Sequence, residues 1–87
     1  MNYKIVYTRQ AQRDAKKLKS SHLAVKAREL IELISRNPFA SPPSYEALIG
    51  DLMGAYSRRI NIQHRLVYQV LEEERVIKIL RLWTHYE

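Results

Sequence analysis

Cysteine is absent from this 87-residue chain, and glycine and proline are scarce, at two and three residues. Without cysteine there can be no disulfide scaffold, no thiolate zinc site and no cysteine nucleophile. The shortage of glycine and proline argues against disorder or long linkers. No hydrophobic run approaches the ~20 residues of a membrane span, and the first residues lack the apolar stretch of a secretory signal. We therefore expect one cytoplasmic domain over residues 1–87, with no membrane contact.

Positive charge is in excess. Fifteen lysines and arginines stand against nine acidic residues, for a net charge of +6. Three of the acidic residues are consecutive, at Glu72, Glu73 and Glu74, so the rest of the surface is more basic than the total suggests. A small basic protein most simply binds a polyanion, and nucleic acid is the commonest one.

The first half of the chain predicts a strand followed by two helices. Residues 3–7 are β-branched and aromatic around one charge, which favours a strand. Thr8 offers a side-chain cap for a first helix with a thin apolar stripe over residues 11–18. A second helix has its apolar positions spaced along one face over residues 23–34. Asn37-Pro38 should end it, because the residue before proline avoids helical geometry.

The second half changes to a period of two, beyond a proline-containing loop at residues 37–44. Strands are expected near residues 45–48, 55–61, 65–71 and 76–84. The predicted order is β-α-α-β-β-β, with room for one extra short strand. Such a chain forms an α+β two-layer domain, in which a helical hairpin packs on one side of an antiparallel or mixed sheet.

Residues able to cut RNA without a metal are concentrated in this second half. Such cleavage needs a base for the ribose 2′-hydroxyl, cations for the phosphorane, and an acid for the leaving 5′-oxygen. A carboxylate, arginines and a histidine meet these needs. The candidates are Glu46, Arg58, Arg59, His64, Arg65, Arg81, His85 and Tyr86. The three histidines have no metal-ligand spacing, so neither a metal site nor a cofactor is expected.

Strand geometry sorts some of these candidates. Arg58 and Arg59 should lie on opposite faces of the sheet, so at most one reaches a given site. In a regular last strand, Arg81 and His85 would share one face with its apolar residues. A structural role remains open for each candidate: Glu46 as an exposed strand residue, arginines as solvated charges.

Two further positions have open interpretations. His64 falls in a predicted turn, where a plain polar role is common. Trp83 is a core residue rather than a platform for base stacking, at odds of about two to one on residue type.

The motifs together resemble a known family. They are the run 54–60 (GAYSRRI), the run 64–68 (HRLVY), the terminal His85-Tyr86, the helix end at residues 36–39 (RNPF), and Glu46-x-Leu48. This combination resembles the YoeB/Txe toxins of the RelE/ParE toxin–antitoxin superfamily, over nearly the whole chain. The resemblance implies a RelE-like, microbial-ribonuclease-like domain that cleaves mRNA in the ribosomal A site.

The resemblance also implies a role for each site residue. Glu46 is similar to the family's general base, His85 to its general acid, and Arg65 to the residue that steadies the phosphate. Arg59 and Tyr86 would hold the RNA backbone. The sequence departs from the family in two places: Ile49 and Gly50 stand where basic residues are expected, and Glu87 follows the closing His-Tyr.

Partners follow from the same resemblance. It implies a cognate YefM/Axe-like antitoxin, the ribosome with its mRNA, and operator DNA reached through the toxin–antitoxin complex, and it leaves a homodimer open. Two other functions also stay open: a ParE-like toxin that acts on DNA gyrase, and a non-enzymatic nucleic-acid-binding module. The joint presence of Glu46, Arg65 and His85 favours the ribonuclease over both.

Overall fold

The structure is a computed structural model that describes residues 2–85, with the side chains of residues 2–83. Its elements are β1 (Lys4–Tyr7), α1 (Arg9–Lys19), α2 (Ala24–Arg36), β2 (Tyr45–Ala47), a 3₁₀ turn (Gly50–Leu52), β3 (Ala55–Arg59), β4 (His64–Leu71) and β5 (Val76–His85). The short β2 is the extra strand for which the sequence left room, so the order is β-α-α-β-β-β-β. Over these residues, none of the helices is long and apolar enough to span a bilayer.

The five strands form one mixed sheet in the order β1-β5-β4-β3-β2. β1 runs parallel to β5, and the other neighbouring pairs are antiparallel. A parallel pair needs a long connection, and here the chain runs from β1 to β5 through both helices and the three strands between them. The predicted α+β class, with a mixed sheet, is confirmed.

α1 begins and α2 ends where local sequence predicts. The Thr8 side chain accepts a hydrogen bond from the Ala11 amide at 3.1 Å, which caps α1. α2 ends at Arg36, one residue before the extended Asn37 that precedes Pro38.

The hydrophobic core lies between the hairpin and one face of the sheet. It joins apolar residues of both helices to apolar residues of β4 and β5, among them Leu18, Leu30, Ile34, Leu66, Ile77 and Ile79. Burial of these side chains supplies most of the driving force for folding. The opposite face of β2, β3 and β4 is left for polar residues.

β5 is not a regular strand, and this corrects one expectation. Its register against β4 shifts twice: Tyr68 faces Ile79, Val67 faces Arg81, and Arg65 faces Thr84. β5 therefore contains extra residues relative to β4, which is the pattern of β-bulges. The expectation that alternate residues from Ile77 to His85 share one face is wrong, because each extra residue reverses the alternation.

The loop between α2 and β2 is held by one buried arginine. Arg58 is fully buried and donates to the carbonyl oxygens of Pro38, Ala40 and Pro43 at 3.0, 2.7 and 2.5 Å. Its Nε donates to the Tyr68 hydroxyl at 3.1 Å. The guanidinium thus satisfies carbonyls that have no partner in regular secondary structure, and it fixes the loop that leads into β2.

Candidate active site

An open cleft of about 640 Å³ lies on the face of the sheet opposite the hydrophobic core. β2, β3, β4 and the turn between β3 and β4 form its floor and sides, and α2 contributes one rim residue. Its charged and hydroxyl-bearing residues include Lys26, Glu46, Ser57, Arg59 and Arg65. Three of the five site residues suggested by sequence therefore lie in one cleft.

Strand register explains why these side chains converge. Glu46 faces Ser57 across β2 and β3, and Arg59 faces Arg65 across β3 and β4. Residues two apart on a strand point to the same face, so Ser57 and Arg59 both point into the cleft. Arg58, between them, points to the buried side. The predicted division of the two arginines between the faces is confirmed.

Arg65 and Glu46 form the central contact of the cleft. Arg65 Nη1 donates to Glu46 Oε1 at 2.6 Å and to the Ser57 hydroxyl at 3.2 Å. The Arg65 side chain is 18% exposed, whereas that of Glu46 is 67% exposed. The guanidinium is thus held in a fixed position, and the carboxylate stays open to an incoming ligand.

The cleft is electropositive. Among the described lining residues, Lys26, Arg59 and Arg65 contribute three cations against the single carboxylate of Glu46. Converging cations in a concave site attract phosphate. The segment after β2 adds no cation, because its residues are an exposed Ile49 and Gly50, which has a left-handed conformation.

His85 is the last residue of β5, and its backbone faces His64. The preceding residue, Thr84, faces Arg65. The backbone of His85 therefore ends beside the strand position that holds Arg65. The side chain of His85 and the whole of Tyr86 lie outside the described residues.

His64 begins β4 rather than lying in the turn, so the turn assignment is wrong. Its ring is largely buried and stacks on Trp83, with centroids 3.9 Å apart and planes 21° apart. Trp83 is partly buried and packs against the core, as its residue type suggested. The pair anchors the start of β4 to the end of β5.

Arg81 does not lie in the cleft. Its Nε donates to Asp14 Oδ2 on α1 at 2.8 Å. Burial alone would raise the pKa of the Asp14 carboxyl, but hydrogen bonds from Arg81 and from the backbone of β5 outweigh burial. The net pKa of Asp14 is therefore below its ordinary value.

Ser57 and Lys26 line the cleft but were not among the site residues suggested by sequence. Ser57 could have been found from parity, because it stands two residues before Arg59 on the same strand. Lys26 could not, because only the packing of α2 beside the β3–β4 turn brings it to the rim.

The chain matches the family model described as a YoeB-like toxin of bacterial type II toxin–antitoxin systems, over residues 4–86. Toxin YoeB from Synechocystis is 40% identical over 76 residues, which cover 87% of this chain and 79% of that protein.

Solved structures agree with this match. A YoeB/ParE toxin from Agrobacterium tumefaciens superposes with a TM-score of 0.87 at 32% identity, over 95% of this chain and 99% of that one. The toxin of a YoeB–YefM complex from Staphylococcus aureus does so with a TM-score of 0.82 at 36% identity, over 99% and 100%. A YoeB dimer from the same species has a TM-score of 0.81 at 35% identity. The fold, the family model and the relatives agree, and this chain belongs to the YoeB-like toxins of bacterial type II toxin–antitoxin systems.

Proposed function

We propose that this toxin is a ribosome-dependent endoribonuclease that cleaves mRNA in the ribosomal A site and so stops translation. The observation that carries the proposal is the contact of Arg65 with Glu46 at 2.6 Å in an open, electropositive cleft. A carboxylate beside a fixed guanidinium provides a base and a phosphate ligand within the span of one phosphodiester.

The chemistry is a transfer within the RNA. Glu46 takes the proton of a ribose 2′-hydroxyl, and the 2′-oxygen attacks the adjacent phosphorus. Arg65 stabilises the charge that develops on the phosphorane oxygens. His85 protonates the 5′-oxygen as its bond to phosphorus breaks, which leaves a 2′,3′-cyclic phosphate and a free 5′-hydroxyl. Arg59 and Tyr86 hold the RNA backbone on either side.

The ribosome supplies what the cleft lacks. The cleft is open, and its described lining has Tyr45 as its one aromatic side chain, so it offers little surface on which to stack and orient a free RNA. A substrate already ordered on the ribosome brings its scissile phosphate in a fixed geometry.

A YefM-type antitoxin is the proposed inhibitor. The related Staphylococcus aureus toxin was solved with YefM, and a chain of net charge +6 suits an acidic partner that folds as it binds. The toxin–antitoxin complex would then bind operator DNA, and the solved YoeB dimer is the precedent for a homodimer of this chain.

The test compares one mRNA in two states. Purified toxin is mixed with labelled mRNA, either naked or bound to ribosomes with an empty A site, and the cleaved fraction is followed over time. We expect efficient cleavage on the ribosome and little on naked RNA. Equal rates on the two substrates would overturn the ribosome dependence, and intact mRNA with arrested gyrase would favour the ParE-like function.

A matched ion pair controls for loss of charge. Glu46→Gln should abolish most cleavage on the ribosome. Glu32→Gln removes a carboxylate from another exposed ion pair, with Arg36 at 3.3 Å on α2, and should leave cleavage unchanged. If both variants cleave at the parental rate, Glu46 is not the base.

A further inference from the structure

The strand that carries His85 is hydrogen-bonded to a buried carboxylate of α1, which lies outside the cleft. Asp14, on α1, is fully buried. Its Oδ2 accepts from Arg81 Nε at 2.8 Å and from the Leu82 amide at 2.9 Å. Its Oδ1 accepts a longer bond, of 3.3 Å, from Gln10 one turn earlier. A buried carboxylate is tolerated only when it is paired and hydrogen-bonded, and the two shorter bonds of Asp14 both come from β5.

Asp14 contacts β5 at the irregular part of the strand. Between the pair Val67–Arg81 and the pair Arg65–Thr84, β5 has two residues where β4 has one. Leu82 lies in this bulge, and its amide donates to Asp14. A bulge redirects the strand beyond it. Asp14 therefore holds the bulge in one geometry by binding the amide that the bulge presents.

The redirected segment ends at His85, three residues after Leu82. Its direction decides where His85 stands relative to Arg65, since Thr84 is the register partner of Arg65. Loss of the Asp14 contact would let the bulge relax while the hydrophobic core below it stays packed. A displacement of about 1 Å at a reacting group can cost ~100-fold in rate.

We propose that Asp14 is a positioning residue for His85: by holding the β5 bulge that contains Leu82, it sets the course of the backbone that ends at His85, the proposed general acid. This inference rests on the proposed function, because it takes His85 to be the acid. It concerns the proton-donation step alone, and that step can be isolated chemically.

The experiment removes the need for an acid. An mRNA is made with sulfur in place of the bridging 5′-oxygen at the A-site phosphodiester. A thiolate leaves without being protonated, because it is a far weaker base than an alkoxide. Single-turnover cleavage on ribosomes is measured with the oxygen and the sulfur substrate for four proteins: parental, His85→Ala, Glu46→Gln and Asp14→Asn.

We expect Asp14→Asn to cut the oxygen substrate about 10–100-fold more slowly, with unchanged ribosome affinity, and to recover most of that loss on the sulfur substrate. His85→Ala should behave in the same way, and Glu46→Gln should stay slow on both. Adding Asp14→Asn to His85→Ala should slow cleavage no further, since the acid is already gone.

Two variants separate positioning from general destabilisation. Leu30→Ala removes a buried side chain of α2 and should lower Tm without a loss that sulfur rescues. Arg81→Met removes one contact of Asp14 from a side chain that is 39% exposed, and should give a smaller loss with the same rescue. If Asp14→Asn does not fold, Arg81→Met tests the same proposal in its place.

The outcomes distinguish the two proposals. Parental-rate cleavage by His85→Ala, or its failure to be rescued by sulfur, overturns His85 as the acid and hence the proposed mechanism. If His85→Ala is rescued but the Asp14 and Arg81 variants are not, or if they cleave the oxygen substrate at the parental rate, Asp14 is a structural residue only.

Discussion

Arg58 and Arg59 are neighbours in the chain, yet they lie on opposite faces of the sheet and in different environments. Arg58 is fully buried and binds three carbonyl oxygens of the loop that leads into β2. Arg59 is exposed and lines the cleft. One arginine therefore builds the wall of the site, and its neighbour is available to a ligand.

This division predicts opposite phenotypes for the two alanine variants. Arg58→Ala removes the arginine donor to the part-buried carbonyl oxygens of Ala40 and Pro43. The buried Pro38 carbonyl loses one donor and keeps the Tyr68 hydroxyl. The loss of these bonds and the cavity left by a fully buried side chain should cost about 2–4 kcal/mol of unfolding free energy. Arg59→Ala should change stability by less than about 0.5 kcal/mol and instead weaken cleavage of ribosome-bound mRNA. Urea denaturation and single-turnover cleavage measure the two effects, and equal destabilisation by both variants would contradict the assignment.

His85→Ala should lower the single-turnover rate by roughly 10²–10⁴-fold, which is the usual contribution of one acid–base group. The binding of ribosomes and of antitoxin should change little, because the loss belongs to the transition state. The measurement is cleavage under saturating ribosomes, with binding followed separately. A variant that cleaves at the parental rate would show that His85 is merely a strand end.

Asp14 should make stability depend on acid pH. Its folded pKa is lowered, because its hydrogen bonds outweigh the opposing effect of burial. The carboxylate therefore stabilises the fold fully above its unfolded pKa of about 3.9, and this contribution disappears as pH falls through the folded pKa.

The measurement is the urea midpoint at pH 7, 5, 4 and 3. Asp14→Asn should be less stable than the parent at pH 7, and the gap should narrow below about pH 4. Asp51→Asn, at an exposed aspartate of the 3₁₀ turn, is the control and should follow the parental curve. A gap that stays constant across this range would contradict the prediction.

The exposed lysines of α1 should make ribosome binding sensitive to salt. Replacing Lys16, Lys17 and Lys19 by serine should weaken binding. It should also flatten the plot of log affinity against log salt concentration, by about 0.7–0.9 in slope for each phosphate that is no longer neutralised. All three lysines are exposed, so Tm should be nearly unchanged. An unaltered salt series would mean that these lysines are only a solvated face.

Local patterns in the chain were enough to predict the helices and strands that the structure describes. Thr8, Pro38 and the change from helical to alternating apolar spacing act through neighbours a few residues away. The division of Arg58 from Arg59 followed in the same way, since alternation within one strand determines it. The resemblance carried by the runs 54–60 and 64–68 and by Glu46-x-Leu48 pointed to Glu46, Arg59 and Arg65, and all three line the cleft.

The order of elements, the basic character and the resemblance to a toxin family can therefore be inferred from the sequence alone. Other features emerge only when the chain packs: the bulges of β5, the pairing of Arg81 with Asp14, the burial of Arg58 under a loop, and the position of Lys26 at the rim of the cleft. Each depends on contacts between residues that are distant in the chain. Alternation and capping patterns depend only on residues that are close in the chain. They therefore cannot predict which distant groups form hydrogen bonds and ion pairs when the chain packs.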